Sequence, residues 1–200
     1  KYGVDKFHDA IKAMRNHARW LSQTAIESAP KGEYSAFAFL DNDGVNLDKT
    51  VPIGVQVRLD GKRLTVDYVD VADQLSGPMN AGRNGGAVAA ARIALKYLIS
   101  PDEPLNEGDF DFLDVEIPDG KFLSARRNAP LGLSGHMIPT TVDTILRALA
   151  EPFPDRAAAA HHGTYGAYAF HGKNPRTGEP FFHLDTSVGG WGASSTLDGY

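Results

Sequence analysis

The stretch VPIGVQVRLDGKRLTVDYVDV, residues 51–71, decides the fold class of this chain. Apolar residues alternate along Val51–Leu59, which is typical of a strand with one buried face. Asp60-Gly61 then supplies a turn signal that favours positive φ, and Leu64–Val71 returns with a second apolar-rich run. This stretch therefore predicts an antiparallel β-hairpin.

Helical periodicity lies on both sides of this hairpin. Apolar residues spaced three and four apart predict helices over about residues 5–27, 86–99 and 140–150. Shorter strands are predicted at 34–40, 110–117, 165–170 and 181–186. Because strands and helices do not alternate strictly, we expect an α+β fold with mixed, largely antiparallel sheets. The first helix has one apolar face, which fits either a surface helix or a partner-binding helix.

Composition bounds the class of protein. The 200 residues include 20 Lys and Arg against 25 Asp and Glu, and the net charge of −5 argues against a sequence-independent nucleic-acid binder. A hydrophobic share of 42% is too high for intrinsic disorder. The lack of cysteine excludes disulfides, thiolate metal sites and a thiol nucleophile. No apolar run approaches the ~20 residues of a membrane span. We expect a cytoplasmic protein with neither membrane nor nucleic-acid partners.

Five of the seven histidines fall late in the chain: His136, His161, His162, His171 and His183. Imidazole titrates near neutral pH and is a common metal ligand, but the spacing of these residues matches no zinc motif. Adjacent His161 and His162 would point to opposite sides of an extended segment. Structural histidines and a single histidine in a pocket both remain open, and no metal ligand is assigned within this segment.

Glycine-rich stretches supply the other candidate site. Residues 82–86 precede a helix, which fits either an anion cradle of backbone N–H groups or close helix packing. Residues 161–166 and 185–192 place small and polar residues at strand ends, as in a pocket wall or a tight interface. No Gly-x-Ser-x-Gly occurs, so no serine nucleophile is assigned. The residues alone do not specify a reaction.

Seven stretches carry a more specific signal through their order and spacing: Gly32-Glu33-Tyr34, FLDNDG at 39–44, SGPMNA at 76–81, PDEPLNEG at 101–108, VDTILRALA at 142–150, His162-Gly163-Thr164 and GGWGA at 189–193. Together they resemble the hydantoinase B / oxoprolinase family. This family includes the B components of ATP-dependent hydantoinases, 5-oxoprolinases and acetone or acetophenone carboxylases. Since the chain begins with Lys1 rather than Met, we expect residues 1–200 to be a single internal segment of such a component, incomplete at both ends.

The resemblance implies a division of labour between two components. An A component with an actin-like ATP-binding fold activates an amide or ketone, and the B component completes the reaction. The resemblance also implies a divalent metal, Zn or Mn, whose ligands lie upstream of this segment. We expect ring opening of a hydantoin, 5-oxoproline or lactam. A ketone carboxylase B component and a non-catalytic scaffold subunit are the alternatives.

The resemblance also implies site residues, according to their positions in the family pattern. The expected catalytic residues are His162, Asp185 and Thr164. The expected substrate-binding residues are Asn80, Gly189 and Gly190, together with His136, which stands where many relatives carry another polar residue.

Overall fold

The computed structural model describes residues 2–163, 166–187 and 189–199. Within them lie three α-helices, α1 (Val4–Ser28), α2 (Ala89–Ile99) and α3 (Ser134–Ala148). There are also six strands: β1 (Gly32–Leu40), β2 (Val51–Leu59), β3 (Leu64–Val71), β4 (Leu113–Glu116), β5 (Gly166–Lys173) and β6 (Pro180–Ser187). This order of elements confirms the α+β prediction.

The main sheet has four strands in the order β1-β2-β3-β4. The predicted hairpin is confirmed, because β2 and β3 pair antiparallel with the predicted bounds. At its turn Gly61 has a φ of 85°, and the Asp60 carboxylate accepts hydrogen bonds from the N–H groups of Lys62 and Arg63. The β4 strand joins β3 in parallel after the crossover through α2, so the sheet is mixed.

One face of the β2–β3 hairpin forms the core. The alternating residues of β2 are all buried: Val51, Ile53, Val55, Val57 and Leu59. The helix α3 packs on β1 and β2, and α2 packs on α3. This burial contributes about 1.5–3 kcal/mol for each large apolar side chain relative to an exposed one.

The third helix begins earlier than its sequence pattern predicts. It starts at Ser134 rather than near residue 140, and it runs through Pro139. A proline inside a helix removes one backbone hydrogen bond and favours a later start. Burial of Met137 on the first turns helps to offset this cost. The extra turns bring His136 onto the same helix as residues 140–148.

The glycine stretch before α2 serves packing. A π-helical turn, Asn84–Val88, precedes α2, and a Cβ on Gly86 would lie 2.3 Å from the Leu123 carbonyl oxygen. The Ala87 N–H donates to that carbonyl at 3.0 Å, and the Gly86 N–H donates to Gly82 at 2.7 Å. Since the fold uses these two N–H groups and leaves no room for a side chain at residue 86, close packing accounts for Gly86.

The segment predicted as a strand at 110–117 is partly a turn. A 3₁₀ turn, Glu107–Phe110, comes first, and Asn106 and Asp109 cap it reciprocally. The Asp109 carboxylate is also paired with Lys96 at 2.9 Å. These bonds prevent an extended backbone until Leu113, so β4 is shorter than predicted.

Two parts of the chain have exposed apolar surface. Every residue of β5 and β6, eight in each strand, is exposed. The first half of α1 exposes Val4, Phe7 and Ile11, whereas its second half buries Ala18 and Ile26. Among the described residues no helix is both long and apolar enough to cross a membrane.

Candidate functional site

A cavity of about 880 Å³ lies beside α3. Its walls come mainly from the end of β1 with the turn that follows, the cavity-facing side of α3, and the extended segment 158–163, and Met79 adds a contact from another loop. The turn contributes Asp41, Asn42 and Gly44. The cavity therefore lies where the main sheet, one helix and the chain leading to β5 meet.

The helix α3 presents a polar stripe to this cavity. Its members recur at helical spacing, so they share one face: His136, Thr140, Asp143, Thr144 and Arg147. Buried apolar residues such as Met137 and Ile145 occupy a different face and anchor the helix in the core. The stripe thus combines an imidazole, a carboxylate, two hydroxyls and a guanidinium on a rigid element.

Asp143 ties segment 158–163 to α3. Its Oδ2 accepts a hydrogen bond from the backbone N–H of His161 at 3.0 Å and bonds the Nδ1 of the His161 ring. The His161 side chain is 11% exposed and that of Asp143 is 24% exposed. Both groups are therefore largely shielded from bulk solvent while they line the cavity.

Segment 158–163 is held on its other side by residues 189–194. Ala159 donates its N–H to Ala193 at 2.8 Å, and His162 donates its N–H to Gly190 at 3.1 Å. A Cβ on Gly192 would lie 2.1 Å from the Ala159 carbonyl oxygen. Glycine at 192 is therefore required for the two segments to approach.

His162 contacts both predicted glycines. Its Nε2 accepts the N–H of Gly189 at 2.8 Å, and its own N–H bonds Gly190. A Cβ on Gly189 would lie 2.4 Å from the imidazole ring. The structure thus brings His162, Gly189 and Gly190 together, and it places His136 on the wall of the same cavity.

Asp185 lies apart from the lining of this cavity. It is on β6, where its side chain is 54% exposed. Its carboxylate accepts the backbone N–H of Thr186 at 2.7 Å, and it lies 3.4 Å from the Tyr168 hydroxyl and 3.8 Å from the His183 ring. Thr164 lies outside the described residues. The roles predicted for these two residues stay predictions.

Asn80 is buried and bound to backbone. Its amide donates to the carbonyls of Leu75, Gly77 and Pro130, and its oxygen accepts the Leu75 N–H. These bonds hold the loop that carries Met79, which lines the cavity. Asn80 itself is outside the cavity lining, and its predicted contact with substrate stays a prediction.

The acidic turn beside the cavity is stabilised by Asp43. Its carboxylate accepts the Asn46 N–H at 2.6 Å, the Asn46 amide at 2.9 Å and the Val45 N–H at 2.9 Å. The hydrogen bonds from Asn46, followed by the one from Val45, lower the pKa of Asp43 below its usual value. This carboxylate therefore remains ionised and orders the turn that contributes Asp41 and Asn42 to the cavity.

Sequence reasoning missed Asp143, Thr140 and Arg147, and it named His161 only as one of five late histidines. A signal for the first three was present, since 140, 143 and 147 repeat at helical spacing within the predicted helix and are polar beside an apolar face. The missing step was to interpret that polar face as the wall of a site. The contact between Asp143 and His161 spans 18 residues and had no local signal.

The described residues do not form a metal centre. Over 2–163, 166–187 and 189–199, no group of three or more His, Asp or Glu side chains is arranged to hold an ion. The expectation that metal ligands lie upstream of this segment stays a prediction.

The class of protein follows from comparison with known families. The Hydantoinase B/oxoprolinase family model matches residues 1–200, so the chain belongs to that family. A Pseudomonas sp. protein named as the putative B-type subunit of a D-/L-hydantoinase is 27% identical over all of this chain and 35% of its own length. The chain therefore spans about a third of this relative.

Two solved structures share the fold. The ATP-dependent caprolactamase of Pseudomonas jessenii superposes with a TM-score of 0.79 and 23% identity, covering 90% of this chain and 31% of that one. A nucleotide-free acetone carboxylase superposes with a TM-score of 0.76 and 16% identity, covering 92% of this chain and 26% of that one. At these identities the likeness concerns the fold alone.

Proposed function

We propose that this chain is part of the B component of an ATP-dependent cyclic amidohydrolase, one that opens a hydantoin, 5-oxoproline or lactam ring. The observation that carries the proposal is the cavity. Its wall carries His136, His161, His162 and Asp143 in a family member that aligns along its whole length with a protein named as part of a hydantoinase. Groups that can exchange protons, placed on the wall of one cavity, fit what hydrolysis of an amide requires.

In this proposal the labour is divided as the family resemblance implies. A separate hydantoinase A-type partner holds ATP and activates the cyclic amide. A divalent metal held by another part of the parent protein would polarise a carbonyl or activate water. The residues of this chain position the substrate and exchange protons, and Arg147 offers a cation to an anionic substituent.

A ketone carboxylase B component is the second candidate, supported by the shared fold with acetone carboxylase. A non-catalytic scaffold is the third. The deciding experiment uses the full-length B component with its A partner and ATP. Hydantoin, 5-oxoproline and caprolactam are supplied in one series, and acetone with bicarbonate in another. We expect ring opening that depends on ATP and on both components. Carboxylation alone, or no reaction in either series, would contradict the proposal.

Two substitutions test the predicted site residues in the same assay. We expect His162→Ala and Asp185→Ala each to lower the rate of ring opening at least ~10-fold, the smaller loss typical of groups that support a site. His8→Ala and Asp155→Ala, at exposed positions away from the cavity, are the matched controls. A loss below twofold for both test variants would remove these two residues from the site, as the scaffold alternative predicts.

The metal is tested separately from activity. We expect elemental analysis of the dialysed full-length B component to find one divalent metal per chain. The double variant His161→Gln, His162→Gln should retain that metal, because its ligands are expected outside this segment. Loss of the metal in the double variant would place ligands inside the cavity described here.

A further inference from the structure

The two adjacent histidines of the cavity have opposite hydrogen-bonding roles. His161 turns its Nδ1 to the Asp143 carboxylate, whereas His162 turns its Nε2 to the Gly189 N–H. A carboxylate accepts hydrogen bonds, so this contact favours the tautomer of His161 that carries its proton on Nδ1 and a lone pair on Nε2. In His162 the corresponding lone pair is already occupied by a backbone donor.

His161 is positioned by a single carboxylate. The Asp143 Oδ2 atom bonds both its ring and its backbone N–H, so one carboxylate fixes the main chain and the imidazole together. The His162 ring meets the His161 ring edge-on, with centroids 5.5 Å apart and planes at 76°. A tautomer fixed by a carboxylate is the arrangement that general-base histidines use.

We propose that His161 is the proton acceptor of this cavity and that Asp143 is its positioning residue. The inference rests on the proposed function and deepens it, since it assigns proton transfer to His161, which is not among the catalytic residues that the family resemblance implies. As water oxygen bonds to the activated carbonyl carbon, a water proton moves to Nε2 of His161. When the C–N bond breaks, that proton passes to the departing ring nitrogen. The second water proton stays on the new carboxyl group and is released to solvent when that group ionises. Amide and water thus give a carboxylic acid and an amine, and His161 is regenerated.

A purely structural role offers the rival explanation, in which Asp143 and His161 only clamp segment 158–163 to α3. The two explanations differ in whether an added base can replace the side chain. The cavity of about 880 Å³ has room for free imidazole beside a truncated residue. Chemical rescue therefore separates proton transfer from clamping.

The first experiment measures ring opening by the full-length B component with its A partner. We expect His161→Ala to lower kcat at least ~100-fold, the smaller end of the range for general-base catalysis. Added imidazole should restore part of this loss in His161→Ala and none in His162→Ala. His8→Ala is the control and should keep its activity. A loss within twofold, or a large loss that imidazole does not restore, would overturn the proposal.

The second experiment tests the positioning role. In Asp143→Asn the new amide can donate to Nδ1 and turn the imidazole to the wrong tautomer, so we expect kcat to fall at least ~100-fold with little change in KM. Asp143→Glu keeps an acceptor and should recover part of the rate. Asp155→Asn is the matched control. Equal rates for Asp143→Asn and the control would overturn the role of Asp143.

The third measurement does not depend on activity. ¹⁵N spectra of the full-length protein labelled at histidine, with His161→Gln for assignment, should show His161 protonated at Nδ1. Asp143→Asn should shift the proton toward Nε2. If the wild-type complex opens no ring, the proposed function fails, and these spectra still decide whether the pair exists. A wild-type His161 protonated at Nε2 would overturn the inference even in an active enzyme.

Discussion

The β2–β3 and β5–β6 hairpins have the same pairing and opposite surroundings. Both are antiparallel, and both carry apolar residues on each strand. In the first, Ile53, Val57 and Val66 are at most 1% exposed, whereas in the second all residues are exposed. Strand pairing is therefore a local property of these sequences, while burial depends on which elements pack against the strands.

The β5–β6 hairpin is unusual because its large apolar side chains are exposed. Phe170, Phe182 and Leu184 are between 58% and 69% exposed. An isolated two-stranded hairpin is marginally stable in water. This one is continued beyond its strands by the hydrogen bonds of segment 158–163 with residues 189–194, which also shape the cavity.

The two hairpins should differ most in how much stability is lost when one apolar side chain in each is truncated to alanine. Ile53→Ala should lower the free energy of unfolding by about 2–5 kcal/mol, because the side chain is fully buried and leaves a cavity. Leu184→Ala should change it by less than about 0.5 kcal/mol. Urea denaturation of the full-length protein provides the measurement. A cost of about 2 kcal/mol or more for Leu184→Ala would show that another part of the protein covers this hairpin.

A smaller difference in stability is expected when one tyrosine in each hairpin is changed to phenylalanine. The Tyr68 hydroxyl is buried and donates to the Ala87 carbonyl at 2.8 Å, and burial raises its pKa. The Tyr168 hydroxyl lies 3.4 Å from Asp185 on an exposed strand. Tyr68→Phe should cost about 1 kcal/mol and Tyr168→Phe close to none, measured by the same denaturation. Equal costs would contradict the view that burial makes the hydrogen bond of Tyr68 contribute more to stability than the contact of Tyr168.

The smallest effect depends on pH and concerns two carboxylates: Asp114 of β4, which binds Arg63 in the turn of the first hairpin, and Asp185 of the second hairpin. The hydrogen bond from Arg63 lowers the pKa of Asp114, so Asp114 stabilises the fold above its ordinary pKa and loses that contribution as pH falls. Asp114→Asn should cost at most about 1 kcal/mol at neutral pH, because both side chains are partly exposed. This cost should disappear at acid pH.

The matched change is Asp185→Asn, whose carboxylate lies 3.8 Å from His183 on the exposed hairpin. It should leave stability unchanged at both pH values, as denaturation at each pH will show. A cost for Asp114→Asn that persists undiminished in acid would mean that the amide disturbs packing rather than removing an ion pair.

The sequence predicted structure best where it depends on interactions between residues close together in the chain. The alternation of 51–71 and its Asp60-Gly61 turn predicted β2 and β3 with their observed bounds. The periodicity of 5–27 predicted α1 to within a residue at each end. The family pattern identified the class, and it singled out His162 with Gly189 and Gly190, which do contact one another.

By itself, then, the sequence determined the elements, the family and part of the cavity wall, because steric and hydrogen-bonding preferences act between near neighbours. Tertiary structure alone decided the parallel pairing of β4, the early start of α3 through Pro139, and the exposure of β5 and β6. It also joined Asp143 to His161, whose backbone and ring meet one carboxylate only after α3 has packed against the sheet. Contacts of this kind depend on how distant segments pack, and no local pattern of residues encodes them.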